Sequence, residues 1–131
     1  LAAGKAAYAM AKLRPADVDA VELYDAFTIN TILFLEDLGF CKKGEGGKFV
    51  ADGNLISGVG KVPLNTDGGG LCSNHPVNRG GMTKILEAVR QLRGEAHPKV
   101  QVPNCDLAIA HGTGGLLGVR HAASTCILER V

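Results

Sequence analysis

The chain has no apolar run long enough to cross a bilayer. Its most apolar stretch, 29–38, is broken by Asn30, Thr31, Glu36 and Asp37, whereas a spanning helix needs ~18 to 20 apolar residues in a row. It also lacks an excess of either charge, with 14 Lys and Arg against 13 Asp and Glu. A formal charge of +1 is too small for a footprint built on phosphate neutralisation, so no nucleic-acid partner is expected. Cys41, Cys72, Cys105 and Cys126 form no C-x-x-C pair and have no histidine spaced to complete a zinc site. Neither a metal nor a disulfide framework is indicated, and a soluble cytoplasmic protein with reduced thiols is the expectation. Neither a P-loop nor a well-placed G-x-G-x-x-G occurs, and no serine lies in a G-x-S-x-G elbow. The chain opens at Leu1 on an alanine-rich segment without a charged n-region or a small-residue cleavage site, so a start inside a longer reading frame is expected.

What is present suits one folded unit. The 131 residues are 46% hydrophobic and 21% charged, the composition of a single domain around one core. Two glycine-rich stretches, 39–60 and 65–81, separate the elements without forming a linker. Residues 1–13 read as an alanine-rich helix closed by Pro15, 18–24 as a strand, and 28–38 as a largely buried helix stopped by Gly39. Met82, Ile85, Leu86, Val89 and Leu92 recur at helical spacing and predict an apolar stripe on a helix ending near Gly94. Lys84, Glu87 and Arg90 are then expected to face water. Residues 107–110 read as a short strand, and 119–128 as a longer one, apolar on both faces as central strands are. Strands alternating with helices imply an α/β domain of three layers with a mixed sheet covered by helices, its last two strands pairing through 112–118.

Three loops at strand ends carry reactive side chains, and they form one site if they converge. They are Tyr24-Asp25-Ala26-Phe27, Asn74-His75-Pro76 and His111-Gly112-Thr113-Gly114-Gly115. His75 opens the amphipathic helix, where a ring can be aimed as a general base or can simply cap the helix at the surface. His111 precedes glycines whose bare backbone lets a ligand approach N–H donors, or it belongs to a tight turn. Tyr24 carries a phenol suited to proton donation, or it packs in the core. Cys72 lies three residues before His75, but neighbours in extended chain point apart, which argues against a Cys-His dyad. His97 and His121 read as surface or strand residues.

These loops, with blocks 21–28 (VELYDAFT), 38–41 (LGFC), 44–50 (GEGGKFV), 65–69 (NTDGG), 74–76 (NHP), 91–96 (QLRGEA) and 111–115 (HGTGG) in order, resemble the C-terminal half of the thiolase superfamily. The resemblance is greatest to its thiolase-like lipid-transfer branch and covers nearly the whole chain, 1–131. It implies one half of a longer two-half protein, with a thiolase-like fold. It further implies an enzyme that transfers acyl groups and makes or breaks a C–C bond beside a coenzyme A thioester, with no bound cofactor.

On the same resemblance His75 activates the family's cysteine and donates to the thioester oxygen, with Tyr24 and His111 as further catalytic candidates. Asn74, Gly114 and Gly115 are implied substrate contacts. Tyr24 stands where most thiolases carry Asn or His. Ala26 and His111 stand where the family's acid/base thiols are found, so both thiols are missing. The acylated cysteine belongs to the N-terminal half.

Tyrosine in this loop resembles acyl-CoA aldolases that cleave by a retro-aldol step and work with a small OB-fold companion protein. That is one alternative reading; the other is a non-catalytic lipid-transfer or assembly module. Expected partners are an acyl-CoA and either an N-terminal thiolase half or further copies of the chain.

Overall fold

The apolar run that begins at Leu107 continues past Ala110 through His111 and its glycines to form strand β2, Leu107–Gly114. His111 therefore lies inside a strand and not in the turn that follows one. The computed structural model describes residues 1–56, 60–73, 80–114 and 122–131. On one side β2 pairs in parallel with β1, Ala20–Leu23, placing Leu23 opposite His111. On the other it pairs antiparallel with β3, Ala122–Glu129, from Leu107 opposite Glu129 to Gly114 opposite Ala122. The sheet is mixed, as expected, in the order β1-β2-β3.

The two long apolar runs exchange the expected roles. β2 is central and β3 lies at the edge of the described sheet, with no residue of β3 fully buried. Small residues explain the centre of the sheet: Ala108, Ala110 and Gly112 alternate on one face of β2, where a helix comes close.

Among the described residues five helices accompany the strands: α1 (Ala2–Ala11), α2 (Thr28–Asp37), α3 (Gly46–Ala51), the single turn α4 (Gly69–Cys72) and α5 (Gly80–Arg93). The left-handed Lys12 ends α1, and Pro15 opens a short 3-10 turn. Gly39 and Gly94, both at positive φ, follow the ends of α2 and α5 as expected. Val21, Leu23 and Ile109 pack with Phe34, Leu35 and Leu38 on one face of the sheet, with Tyr8 of α1 against them. Ala20 and Ala108 pack with Ala88, Leu92, Val102 and Cys105 on the other. Alternate residues of each strand thus feed opposite layers, and each fully buried Leu or Ile contributes about 1.5–3 kcal/mol.

Helix α5 has the expected extent but is rotated on its axis: Arg90 is exposed and Leu92 buried as expected, and the remainder differs. Lys84 and Glu87, expected in water, are 1% and 3% exposed, while Met82 and Leu86 of the apolar stripe are 60% and 52% exposed. The buried polar face meets partners made for it. Lys84 Nζ bonds Asp67 Oδ1 at 3.0 Å, Thr66 Oγ1 bonds Glu87 Oε1 at 2.6 Å, and Gln91 Oε1 accepts the Val102 N–H at 2.8 Å. Satisfied polar groups can be buried, and these lock the rotation of α5 on the sheet.

Candidate active site

Tyr24 immediately follows β1, and its N–H donates to the His111 carbonyl at 2.9 Å, extending the parallel ladder by one bond. Its ring lies on the α5 side. A Cβ built on Gly80 would come within 2.6 Å of Tyr24 Cδ2, and one on Gly112 would lie 3.7 Å from Tyr24 Cβ. The ring therefore occupies the space that Gly80 leaves open in the first turn of α5, while Gly112 of β2 lies beside its Cβ. It borders an open cavity of about 670 Å³ lined by Gly80, Gly81, Met82 and Ile85 of α5, Ala110–Gly114 of β2, and Ala122, Ala123, Ser124 and Cys126 of β3. Walls of glycine and alanine give a ligand access to main-chain N–H and C=O groups.

His111 shares the backbone of this cavity but not its side-chain face. Its ring stands edge-on to Phe34 of α2, with centroids 4.7 Å apart at 74°. Its Nδ1 lies 2.7 Å from Thr125 Oγ1. Burial holds the imidazole below its ordinary pKa. By strand alternation the ring is on the α1/α2 side of the sheet and the phenol of Tyr24 is on the α5 side. The two loops meet through their main chains while their side chains diverge. Gly114 lines the cavity. His75, Asn74 and Gly115 lie outside the described residues.

Two further residues shape the site, and their roles were not read from the sequence. Asp25 is buried; its carboxylate accepts the Gly70 N–H at 2.7 Å and the Leu71 N–H at 3.3 Å. It thereby ties the end of β1 to α4. Gly69 is required there, because its φ is +69° and a Cβ would come within 2.9 Å of Asp25 Cγ. Asn65 brackets Leu23, its Oδ1 accepting the Leu23 N–H at 2.7 Å and its Nδ2 donating to the Leu23 carbonyl at 2.9 Å. The signal available in the sequence was an Asn before a glycine turn, a residue type that tolerates the left-handed backbone seen here at φ 47°.

Residues 1–130 match a family described as "Thiolase C-terminal domain-like". The chain belongs to this family. It is 45% identical over 116 residues to an acetyl-CoA acetyltransferase of Methanothermobacter thermautotrophicus, covering 88% of this chain and 30% of that protein. It is 44% identical over 112 residues to a 17-hydroxy-3-oxo-4-pregnene-20-carboxyl-CoA lyase of Mycobacterium tuberculosis, covering 85% of this chain and 28% of the lyase. Among solved structures, an Ltp2-ChsH2(DUF35) aldolase superposes with a TM-score of 0.81 at 39% identity, over 98% of this chain and 31% of that one. The chain therefore spans less than a third of these relatives. The thiolase-like fold expected from the sequence is the fold observed, with α1 and α2 on one face of the mixed sheet and α5 on the other. Among the described residues, no helix is long and apolar enough to cross a membrane.

Proposed function

We propose that this chain is the C-terminal part of a thiolase-like acyl-CoA enzyme that makes or breaks a C–C bond next to a coenzyme A thioester. The observation that carries this reading is Tyr24, fixed at the end of β1 beside a glycine-lined cavity. Tyr24 and His75 carry the proton transfers. His111, packed against Phe34 and Thr125, supports the β2 backbone from behind. Gly114 and Gly115, with Asn74, offer contacts to the thioester end of the substrate. The exposed Met82 and Leu86 of α5 favour a domain that packs against further protein over a free-standing lipid-transfer module.

Retro-aldol cleavage is the second reading, favoured by the phenol of Tyr24 and by the likeness to a CoA lyase and an aldolase. A base takes the β-hydroxyl proton, the Cα–Cβ bond breaks to leave a carbonyl, and its electron pair becomes the thioester enolate, which is then protonated. This step needs no acylated cysteine. The small OB-fold companion protein that the sequence resemblance implies belongs to this reading. In the intact protein, His75→Ala should remove most turnover with an acyl-CoA. Tyr24→Phe should reduce retro-aldol cleavage more than acyl transfer, and wild-type rates in both variants would refute the site.

A further inference from the structure

Two residues before Tyr24, on the same face of β1, Glu22 is fully buried. It faces Thr66 and Asp67 from the turn after Leu64, and Lys84 and Glu87 from α5. Its partner in the register of β2 is Ala110, which pairs in turn with Cys126 of β3. Tyr24, Cys126 and Cys105 are the further titratable groups on that face among the described residues, and burial pushes the Cys105 thiol up to about 11. The nearest cation, Lys84, is shared between Asp67 and Glu22, and Arg90 lies at Glu87. Lys84 Nζ bonds Asp67 Oδ1 at 3.0 Å and lies 3.7 Å from Glu22 Oε2, while Arg90 lies 3.8 Å from Glu87 Oε2. Glu22 Oε2 has no hydrogen-bond partner among the described residues. Ionised, Glu22 would be a fully buried carboxylate beside a lysine that already pairs more closely with Asp67.

Counting protons around Thr66 leads to the same place. Its hydroxyl stands 2.6 Å from Glu87 Oε1 and 3.1 Å from Glu22 Oε1, with Gln91 Nε2 at 2.8 Å. The amide orientation of Gln91 is fixed, because its Oε1 accepts the Val102 N–H. Nε2 can therefore only donate to Thr66. Thr66 has one proton for two carboxyl oxygens, so one carboxyl must supply its own. Glu87 has Arg90 at 3.8 Å and accepts from Gln91 Nε2 at 3.0 Å, whereas Glu22 Oε2 has no hydrogen-bond partner among the described residues, which leaves the Thr66 proton on Glu87 and the acid proton on Glu22. The contact to Glu22 is then a hydrogen bond only when Glu22 supplies the proton.

We infer that Glu22 is a neutral carboxylic acid in the folded protein, donating its proton to Thr66, and that it is a positioning residue which seats the first turns of α5 beneath Tyr24. Burial pushes this carboxyl up to about 8, with Lys84 pulling it back. The mechanical link is short: Lys84 follows Gly80 by one helical turn, and the Tyr24 ring lies on Gly80. An ionised Glu22 would compete with Asp67 for Lys84 and disturb that seam.

An acid whose pKa is higher folded than unfolded favours the fold most at low pH. That advantage is complete below about 4.5, declines as pH rises towards about 8, and changes no further above it. Carboxyl-labelled NMR of the intact protein should find Glu22 protonated at neutral pH and titrating near 8; ionisation complete by about pH 6 would overturn the inference. In denaturant unfolding, Glu22→Gln should gain on the wild type between about pH 5 and about pH 8 and hold a constant lead above, whereas a pH-independent difference would overturn it. Neither measurement needs turnover, so both stand apart from the acyl-CoA reading. The seating role itself rests on that reading: Glu22→Gln should move the alkaline limb of kcat upward with KM unchanged, and a limb that stays in place would refute it.

Discussion

Gly80 and Gly81 are adjacent in the first turn of α5, and the structure separates what alanine would do at each. At Gly80 the new methyl would stand 2.6 Å from Tyr24 Cδ2 and 3.1 Å from Cζ, and closer still to Cε2. Carbon atoms pack at about 3.5–4.0 Å, so the phenol must retreat by about 1 Å. Overpacking of this kind costs about 1–3 kcal/mol, offset by at most about 1 kcal/mol from alanine's higher helix propensity. At Gly81 no described atom lies within 4 Å of the added Cβ, so only the propensity gain remains.

Gly80→Ala should therefore lower stability by about 1–2 kcal/mol while Gly81→Ala leaves it equal or slightly raised, as read by urea denaturation of the intact protein. If Tyr24 reacts with substrate, a displacement of about 1 Å should also lower kcat/KM by about 10²-fold. A double-mutant cycle isolates the contact, since Tyr24→Ala should cost less in the Gly80→Ala background than in the wild type. Equal behaviour of the two alanine variants, or full additivity in the cycle, would refute the packing of Tyr24 on Gly80.

Asp25→Asn keeps the shape of a buried side chain but leaves one of two N–H groups without an acceptor, so stability should fall by about 1–3 kcal/mol in thermal unfolding. Proteolysis near α4 should accelerate in the same variant, and unchanged cleavage there would argue against the tether. His111 is held below its ordinary pKa by burial, so it binds fewer protons folded than unfolded. Its contribution is present above about 6.5 and lost as pH falls below that value; His111→Gln should flatten this acid-side slope in pH-dependent denaturation.

The backbone plan of the domain was legible because it depends on local signals. Glycines after α2 and α5 marked helix ends, and the last two apolar runs paired as the expected hairpin. The reach of β2 was not legible, since a strand that continues through His111 and three more residues resembles a turn when it carries glycine. Gly112 lies against Tyr24 and Gly81 of α5, a tertiary fact that composition does not carry. Of the candidate site, the adjacency of the Tyr24 and His111 segments was legible, but not that His111 lies within a strand, nor the side-chain directions. Tyr24 and His111 meet in register through one main-chain bond, and their opposite faces follow only once β2 is known to include His111.

Helix α5 shows why a correct period can give the wrong face. Periodicity in Met82, Ile85, Leu86, Val89 and Leu92 establishes that one side of the helix is apolar, but not that the sheet of this domain covers it; only Leu92 of the five is buried there. Here the sheet presents Glu22, and the turn beside it presents Thr66 and Asp67, so the complementary side of α5 is the one bearing Lys84, Glu87 and Gln91. Directional bonds fix the rotation of a helix more narrowly than apolar contact does, because a slip of one residue, about 100°, would leave several buried polar groups unpaired. That restriction places Gly80, and not Gly81, under the ring of Tyr24. The buried polar layer and the placement of Tyr24 are therefore one problem of register, solved by the same face of α5.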